Sequence, residues 1–285
     1  MASLGIIGLG LIGATLTRRL IKGGDKPVVF DLKSGLVQSA EADGAIAASS
    51  SRDLAGRCEL ILICVQTDQQ CVAAISGENG VLEGARPGAC IAVLSTVTPS
   101  TIVSLAAAAA EHGVHLVDTP VAGRGMFSVE DGTMSVLVGD QGELATRLEP
   151  TLLRFASHIV RTGPLGSAAA LKLAHNVVVY AGFAAMIEAV ELARAAGVSD
   201  GLLEEVAKNS GALSELSAFH IGYYKHFRDE PHAASEDDML RVAAALLEKD
   251  LGDAVALSQT LGVDLPVARL LCHAGSKVFP VESAD

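Results

Sequence analysis

The chain has 285 residues, half of them hydrophobic and 19% charged, with a formal net charge of −12. This is a globular composition, long enough for two domains, and it excludes a disordered chain. The acidic balance argues against nucleic acid and anionic membrane surfaces as partners, because both select Lys/Arg clusters. It leaves room for an anionic small molecule, since one local Lys or Arg dominates a cleft. The five cysteines (58, 64, 71, 90 and 272) are odd in number and form no C-x-x-C pair, as expected of reduced thiols in a cytoplasmic protein. The N-terminal apolar stretch lacks a basic leader and is broken by glycines, so no signal peptide is expected.

An apolar run, Leu4 to Ile7, opens the chain and leads into Gly8-Leu9-Gly10-Leu11-Ile12-Gly13, which a helical pattern over 14–20 follows. Strand, glycine turn and helix in that order make a nest for a pyrophosphate. Gly8 permits the turn, Gly10 lets backbone approach phosphate, Gly13 lets helix and strand pack, and the helix start supplies unpaired N–H groups. A second apolar run, 27–30, ends in Asp31 with Leu32 beside it. An acid there accepts hydrogen bonds from ribose hydroxyls and repels a 2′-phosphate, which favours NAD over NADP, although Lys33 softens that preference. The alternative for Asp31 is a plain strand-end carboxylate.

Strands are expected at 3–8, 27–31, 59–64, 89–94, 114–118, 134–138 and 157–161, with helices at 35–43, 68–75, 99–111 and 141–155. Alternation of this kind predicts βαβ units and a doubly wound, mostly parallel sheet, a Rossmann-type α/β domain over 1–163. Within it, His112 and His115 straddle a helix end and a strand start and predict no metal site. After Gly163-Pro164-Leu165-Gly166 the character changes. A long helix is expected from Ser167 to Ala196, stopping at Gly197, and Ser199-Asp200 is expected to cap the next. No strand is expected from there to Phe279, so 164–285 reads as an all-helical domain, with a polar loop at 228–238. The stretch 168–193 is apolar but interrupted by Lys172, His175, Asn176, Glu188 and Glu191, and reads as a buried helix rather than a membrane span. Lys172, His175, Asn176, Val179, Tyr180 and Phe183 share one face of it. A desolvated Lys in such a place is a credible acid/base group; the alternative is a Lys whose stem covers apolar surface while its head reaches water.

These residues resemble the β-hydroxyacid dehydrogenase family, which includes 3-hydroxyisobutyrate, tartronate semialdehyde and 6-phosphogluconate dehydrogenases. The resemblance spans nearly the whole chain. It is carried by the glycine turn, by Gly77 to Gly84 with Pro87-Gly88, by Ser95-Thr96-Val97-Thr98-Pro99, and by Asp118-Thr119-Pro120-Val121-Ala122-Gly123. Gly163 to Gly166 with Lys172 and Asn176, and Lys249-Asp250-Leu251, complete it. It implies an oxidoreductase that moves hydride between a nicotinamide cofactor and a small hydroxy acid or related carbonyl compound. In that reading Lys172 is the general acid/base, and Asn176 orients it or holds substrate. Val65-Gln66-Thr67, Ser95 and Thr96 lie near the nicotinamide, and Lys249 closes over the site. Gly123 presents N–H groups to a substrate carboxylate, with Ala122 and Arg124 beside it. The resemblance also implies a homodimer or homotetramer built on the helical domain.

Several positions depart from the family pattern. Ala122 stands where a Ser is usual, Arg124 where a second Gly is usual, and His175 where the first of two Asn is usual. The segment from Asp118 to Gly132 is one residue longer, and Met126 and Phe127 bring bulk into it. These departures predict a reshaped substrate pocket, with Arg124 gripping a carboxylate or facing solvent, and Phe183, Tyr223 and Tyr224 favouring a bulkier substrate. Three rival readings are an imine reductase-like enzyme, which usually lacks the Lys, an oxidative decarboxylase of a phosphosugar acid, for which the chain is short and lacks a basic phosphate cluster, and a catalytically silent dinucleotide-binding protein.

Overall fold

The short apolar strand β1 (Leu4–Ile7) is buried at every residue, which sets it in the middle of a sheet with both faces covered. The elements that follow are α1 (Leu11–Lys22), β2 (Val28–Phe30), α2 (Ser34–Ala42), β3 (Ile46–Ala47), α3 (Ser51–Arg57), β4 (Leu60–Ile63), α4 (Asp68–Ser76), α5 (Val81–Gly84), β5 (Cys90–Val93), α6 (Pro99–Glu111) and β6 (His115–Asp118). The six strands form one parallel sheet in the order β3-β2-β1-β4-β5-β6. The order reverses direction between β1 and β4, the topological switch point at which such sheets bind ligands. Alternate residues feed two cores: Ile6, Leu62 and Ala92 pack with Leu16 and Leu20 of α1, while Ile61, Ile63, Ile91 and Val93 pack with Leu54, Ile75 and Ile102. The computed structural model describes residues 3–140, 142–230 and 233–281, with Ser235 described in its backbone alone.

The sheet does not extend into the last two expected strands. β7 (Val121–Ala122), α7 (Met126–Asp131), β8 (Met134–Val138), α8 (Glu143–Leu152) and β9 (Ala156–Arg161) follow, and β7-β8-β9 form a separate three-stranded sheet with β7 antiparallel to β8. The chain turns at Thr119-Pro120. Pro120 has no N–H to continue a ladder, and its carbonyl instead accepts from the Leu137 N–H at 3.0 Å.

The rest is helical: α9 (Ser167–Ala195), α10 (Leu202–Ser210), α11 (Glu215–Asp229), α12 (Ala234–Leu261), α13 (Pro266–Leu271) and α14 (Gly275–Val278), with no strand among the described residues beyond β9. By length and composition α9 is apolar enough to cross a membrane, but it carries the five polar interruptions noted above. Its burial is one-sided, with Val178 and Leu192 exposed. The expected Ser199-Asp200 cap is not the one used. α10 starts from Gly201, in the left-handed region at φ 89°, with no side-chain cap. The expected polar loop is also mostly helix: α11 runs to Asp229 and α12 starts at Ala234, where the Glu236 carboxylate accepts the Ala233 N–H at 2.8 Å. Residues 231–232 of that loop lie outside the described residues.

The chain forms two compact units that divide inside α9, between Lys172 and Leu173. The first turns of α9 stay with the sheet because Ala169 enters its core. The second unit is built around Phe183 and Ile187 of α9, Phe227 of α11, Leu240, Leu247 and Leu251 of α12, and Phe279.

Candidate active site

The turn between β1 and α1 is closed on one side and open on the other. Gly8 has φ +93°, and its N–H donates to the Phe30 carbonyl at 3.0 Å. A Cβ on Gly8 would lie 2.5 Å from the Cys64 carbonyl oxygen, and one on Gly13 would lie 1.9 Å from the Gly8 carbonyl oxygen. At Gly10 a Cβ would meet nothing within 4 Å. The bare outer face, ending at the unpaired N–H groups of α1, fits a pyrophosphate. Leu9 is buried in the core, whereas Leu11 and Ile12 start α1. Asp31 braces the turn: its Oδ2 accepts the Leu9 N–H at 2.7 Å and its Oδ1 the Lys33 N–H at 2.8 Å. Leu32 beside it is 91% exposed, an apolar side chain held in water.

The loops after β4 and β5 leave the same strand ends. The Ser95 hydroxyl is buried, accepts the Val65 N–H at 2.9 Å and donates to the Ile63 carbonyl at 3.3 Å. Through these two bonds Ser95 fixes the Val65-Gln66-Thr67 loop. Thr67 caps α4 by accepting the Gln70 N–H at 3.2 Å, and the Gln66 N–H donates to Gln70 Oε1 at 2.8 Å. Thr96 is half-buried.

Asp118, at the end of β6, is a functional position that sequence reasoning quoted only as part of a motif. It is fully buried, and its carboxylate accepts the Gly166 N–H at 3.0 Å and the Ala169 N–H at 2.9 Å. It therefore caps α9, the helix that carries Lys172, from the same strand-end edge that carries the glycine turn. Burial pushes its carboxyl above the usual range, against the pull of those backbone N–H groups. Lys172, three residues past Ala169, is half-buried.

One turn beyond Lys172, Asn176 is buried, and one end of its amide is committed. Its Nδ2 donates to Asp250 Oδ2 at 2.6 Å, so it is held by α12. The Tyr180 hydroxyl donates to the same oxygen at 3.3 Å, and Lys249 pairs with Asp250 at 2.9 Å and with Asp253 at 3.4 Å. Because a carboxylate only accepts, Asp250 decides which end of the Asn176 amide is the donor; Oδ1 then points the other way, 3.4 Å from His175 Nδ1. Burial and the Asp250 charge raise the Tyr180 phenol well above its ordinary value. The aromatic residues expected to line a pocket belong to the helical core. Phe183 stacks on His220 with centroids 3.8 Å apart, Tyr223 packs on Phe227, and the Tyr224 ring lies under the Arg228 guanidinium.

The segment after β7 folds back on itself. Ala122 pairs with Ser135, and Gly123 packs so tightly on Ser128 that a Cβ there would lie 2.7 Å from its Oγ. The Arg124 N–H donates to that buried hydroxyl at 2.8 Å. The Arg124 guanidinium, expected to grip a carboxylate or face solvent, pairs with Asp131 of α7 at 2.7 Å. Ser128 went unnoticed in the sequence, and its only signal is its place three residues after Gly125 in an oddly long loop.

The sequence profile of the NAD binding domain of 6-phosphogluconate dehydrogenase matches residues 3–163, and that described as NAD-binding of NADP-dependent 3-hydroxyisobutyrate dehydrogenase matches 166–274. A Mycobacterium tuberculosis protein named an uncharacterized oxidoreductase is 34% identical over 271 residues, covering 94% of this chain and 90% of its own length. The 2-(hydroxymethyl)glutarate dehydrogenase of Eubacterium barkeri is 28% identical, with 94% of this chain and 86% of that protein covered. The crystal structure of a 3-hydroxyisobutyrate dehydrogenase from Salmonella typhimurium superposes with a TM-score of 0.83 at 26% identity, over 96% of this chain and 93% of that one. With the dinucleotide turn at the switch point and the Lys-bearing helix capped from the same strand ends, the chain belongs to the β-hydroxyacid dehydrogenase family, NAD(P)-dependent oxidoreductases acting on CH–OH groups.

Proposed function

We propose that the protein interconverts a small 3-hydroxy acid and its carbonyl counterpart with NAD, and that Lys172 exchanges the proton. The observation that carries this reading is the capping of α9 by Asp118, which fixes Lys172 about one turn from the strand-end edge that bears the glycine turn. The nicotinamide, when bound, takes up or returns the hydride. In the oxidation direction the Lys172 amine accepts the hydroxyl proton as negative charge gathers on oxygen; in reduction its ammonium gives the proton back. Asn176, its amide set by Asp250, holds the substrate hydroxyl or the Lys172 amine. The Gly123 backbone receives the carboxylate. Asp31 holds ribose hydroxyls and disfavours a 2′-phosphate, which supports NAD over NADP.

Relatives named for 2-(hydroxymethyl)glutarate, L-serine, 3-hydroxyisobutyrate and L-threonate define the panel to assay. With NAD and NADP offered separately, NAD is expected to support faster NADH-type absorbance growth on at least one of these acids. Lys172→Ala is expected to lower kcat by roughly 10²–10⁴-fold, the usual worth of general acid/base catalysis, while NADH still binds. NADH binding without turnover of any of the four acids would sink the proposal and favour a silent binding protein. Undiminished kcat in the variant would remove Lys172 from proton transfer.

A further inference from the structure

The segment that carries Gly123 and Arg124 is tied largely to itself, through Ser128 and Asp131. α7 is six residues long and lies between Gly125 (φ 59°, ψ −136°) and Gly132 (φ 72°), two conformations that favour glycine. Its polar link to the dinucleotide helix α1 is Arg19. Its Nη1 donates to the Glu130 carbonyl at 2.6 Å, in the last turn of α7, and its Nε donates to the Arg154 carbonyl at 2.9 Å, just past α8. One guanidinium thus satisfies carbonyls at the C-terminal ends of two helices, where cations are favoured. A Cβ on Gly132 would lie 2.2 Å from Arg19 Nη2, so the turn that ends α7 is shaped around this side chain. Asp25, just beyond α1, forms an ion pair with the Arg154 side chain and holds the same corner from a second point. Val129 of α7 shares a core with Leu16 and Leu20 of α1.

We propose that Arg19 is a positioning residue for substrate recognition. By clamping α7 to α1 it holds Ser128, and through Ser128 the backbone of Gly123 and Arg124, in the arrangement that receives the substrate carboxylate. The proposal rests on the reading that Gly123 contacts the acid. A planar fork spans two carbonyls, and a Lys ammonium in its place reaches them only as a point donor.

The test compares wild type with Arg19→Leu, Arg19→Lys and Gly123→Val, using NAD and the acid of the four that wild type turns over fastest, together with amide hydrogen exchange of the protein without ligands. Arg19→Leu is expected to raise KM for the acid about tenfold or more with little change in kcat, the mark of lost binding shared by ground and transition states. It is expected to leave the NADH Kd unchanged and to speed exchange selectively at 123–132, and Arg19→Lys is expected to recover part of both effects. Should Arg19→Leu fail to fold, Gly132→Ala, which presses a methyl group onto the guanidinium, is expected to give the same KM and exchange pattern. Unchanged KM in the Arg19 variants beside a raised KM in Gly123→Val overturns the role of Arg19 alone. Unchanged KM in Gly123→Val, or no turnover by the wild type, overturns the acid-site reading and the proposal with it.

Discussion

Gly10 and Gly13 sit three residues apart in the same turn, yet a methyl group would do different things at each. At Gly13 it would collide with the Gly8 carbonyl, and nothing flexible is there to yield. Gly13→Ala is therefore expected to lower Tm and weaken NADH binding together. At Gly10 the methyl group meets no protein atom, so Gly10→Ala is expected to keep Tm and lose NADH affinity alone, because it intrudes only where the ligand approaches. Thermal melts and NADH titrations of the two variants separate these outcomes; equal NADH affinity in Gly10→Ala and wild type would show that the cofactor does not press on that face. Both glycines and Asp31 were legible in the sequence because they act within one βαβ unit. Asp118 and Asn176 were legible as motif positions but not as what they hold. Their partners lie 48 and 74 residues away, at Gly166 and Asp250, and no local spacing encodes such a bond. The bond from Val65 to the Ser95 hydroxyl was hidden for a related reason, since it joins loops 30 residues apart.

At the scale of elements, long runs with clear periodicity were readable and short ones were not. α6, expected at 99–111, occupies Pro99–Glu111, with Thr98 capping it and Pro99 at its first turn. β3 and β7 are two residues each and α5 is four, too short for any period to show. Residues 228–238 were read as a loop because their charges crowd one stretch, but most of those charges occupy the end of α11 and the first turns of α12. α11 also supplies a pH-sensitive joint. His220 is buried against Phe183 and Phe279, and its Nε2 lies 3.1 Å from the Val278 carbonyl, the neutral ring donating there. Burial lowers its pKa from 6.5 to about 4. Above pH 6.5 the ring is neutral in the folded and unfolded chains alike. As pH falls below that, the unfolded chain takes a proton that the folded one refuses, and stability is lost progressively until about pH 4. At about 1.4 kcal/mol per pKa unit, the full loss is at most about 3.5 kcal/mol. His220→Gln keeps a donor without the titration. It is expected to be less stable than wild type at neutral pH, with the gap in Tm narrowing as pH drops from 6.5 towards 4; a gap that stays constant would exclude His220 as the source.

For the molecule as a whole, the dinucleotide turn, the loops after β4 and β5, and the Asp118 cap all belong to the unit ending at Lys172, whereas Asn176, Asp250 and Lys249 belong to the unit that follows. The two-part organisation was legible from the switch between alternating and purely helical patterns. The separate three-stranded sheet was not, since a strand's pattern does not say which sheet it joins. NADH at a hundred times its Kd is expected to stabilise the folded state by about 2.7 kcal/mol through mass action. Hydrogen exchange is expected to localise the first protection to the glycine turn, α1 and the 65–67 loop. Protection that spreads equally over α10 and α11 would mean that the ligand binds elsewhere.

The burial of the thiols has a practical consequence for probe chemistry. Cys58, Cys71 and Cys90 are enclosed, and burial pushes the Cys58 thiol up to about 11 and the Cys64 and Cys90 thiols up to about 12, so few of these sulfurs are thiolates at neutral pH. Cys64 and Cys272 are both partly exposed, but the raised Cys64 thiol resists alkylation, which leaves Cys272, just past α13 in the helical unit. A maleimide dye added at pH 7 is therefore expected to add once per native chain, at Cys272, and five times after denaturation, as intact-mass spectra will count. The natural sequence thus provides a single fluorophore attachment point on the helical unit without any cysteine having to be engineered away.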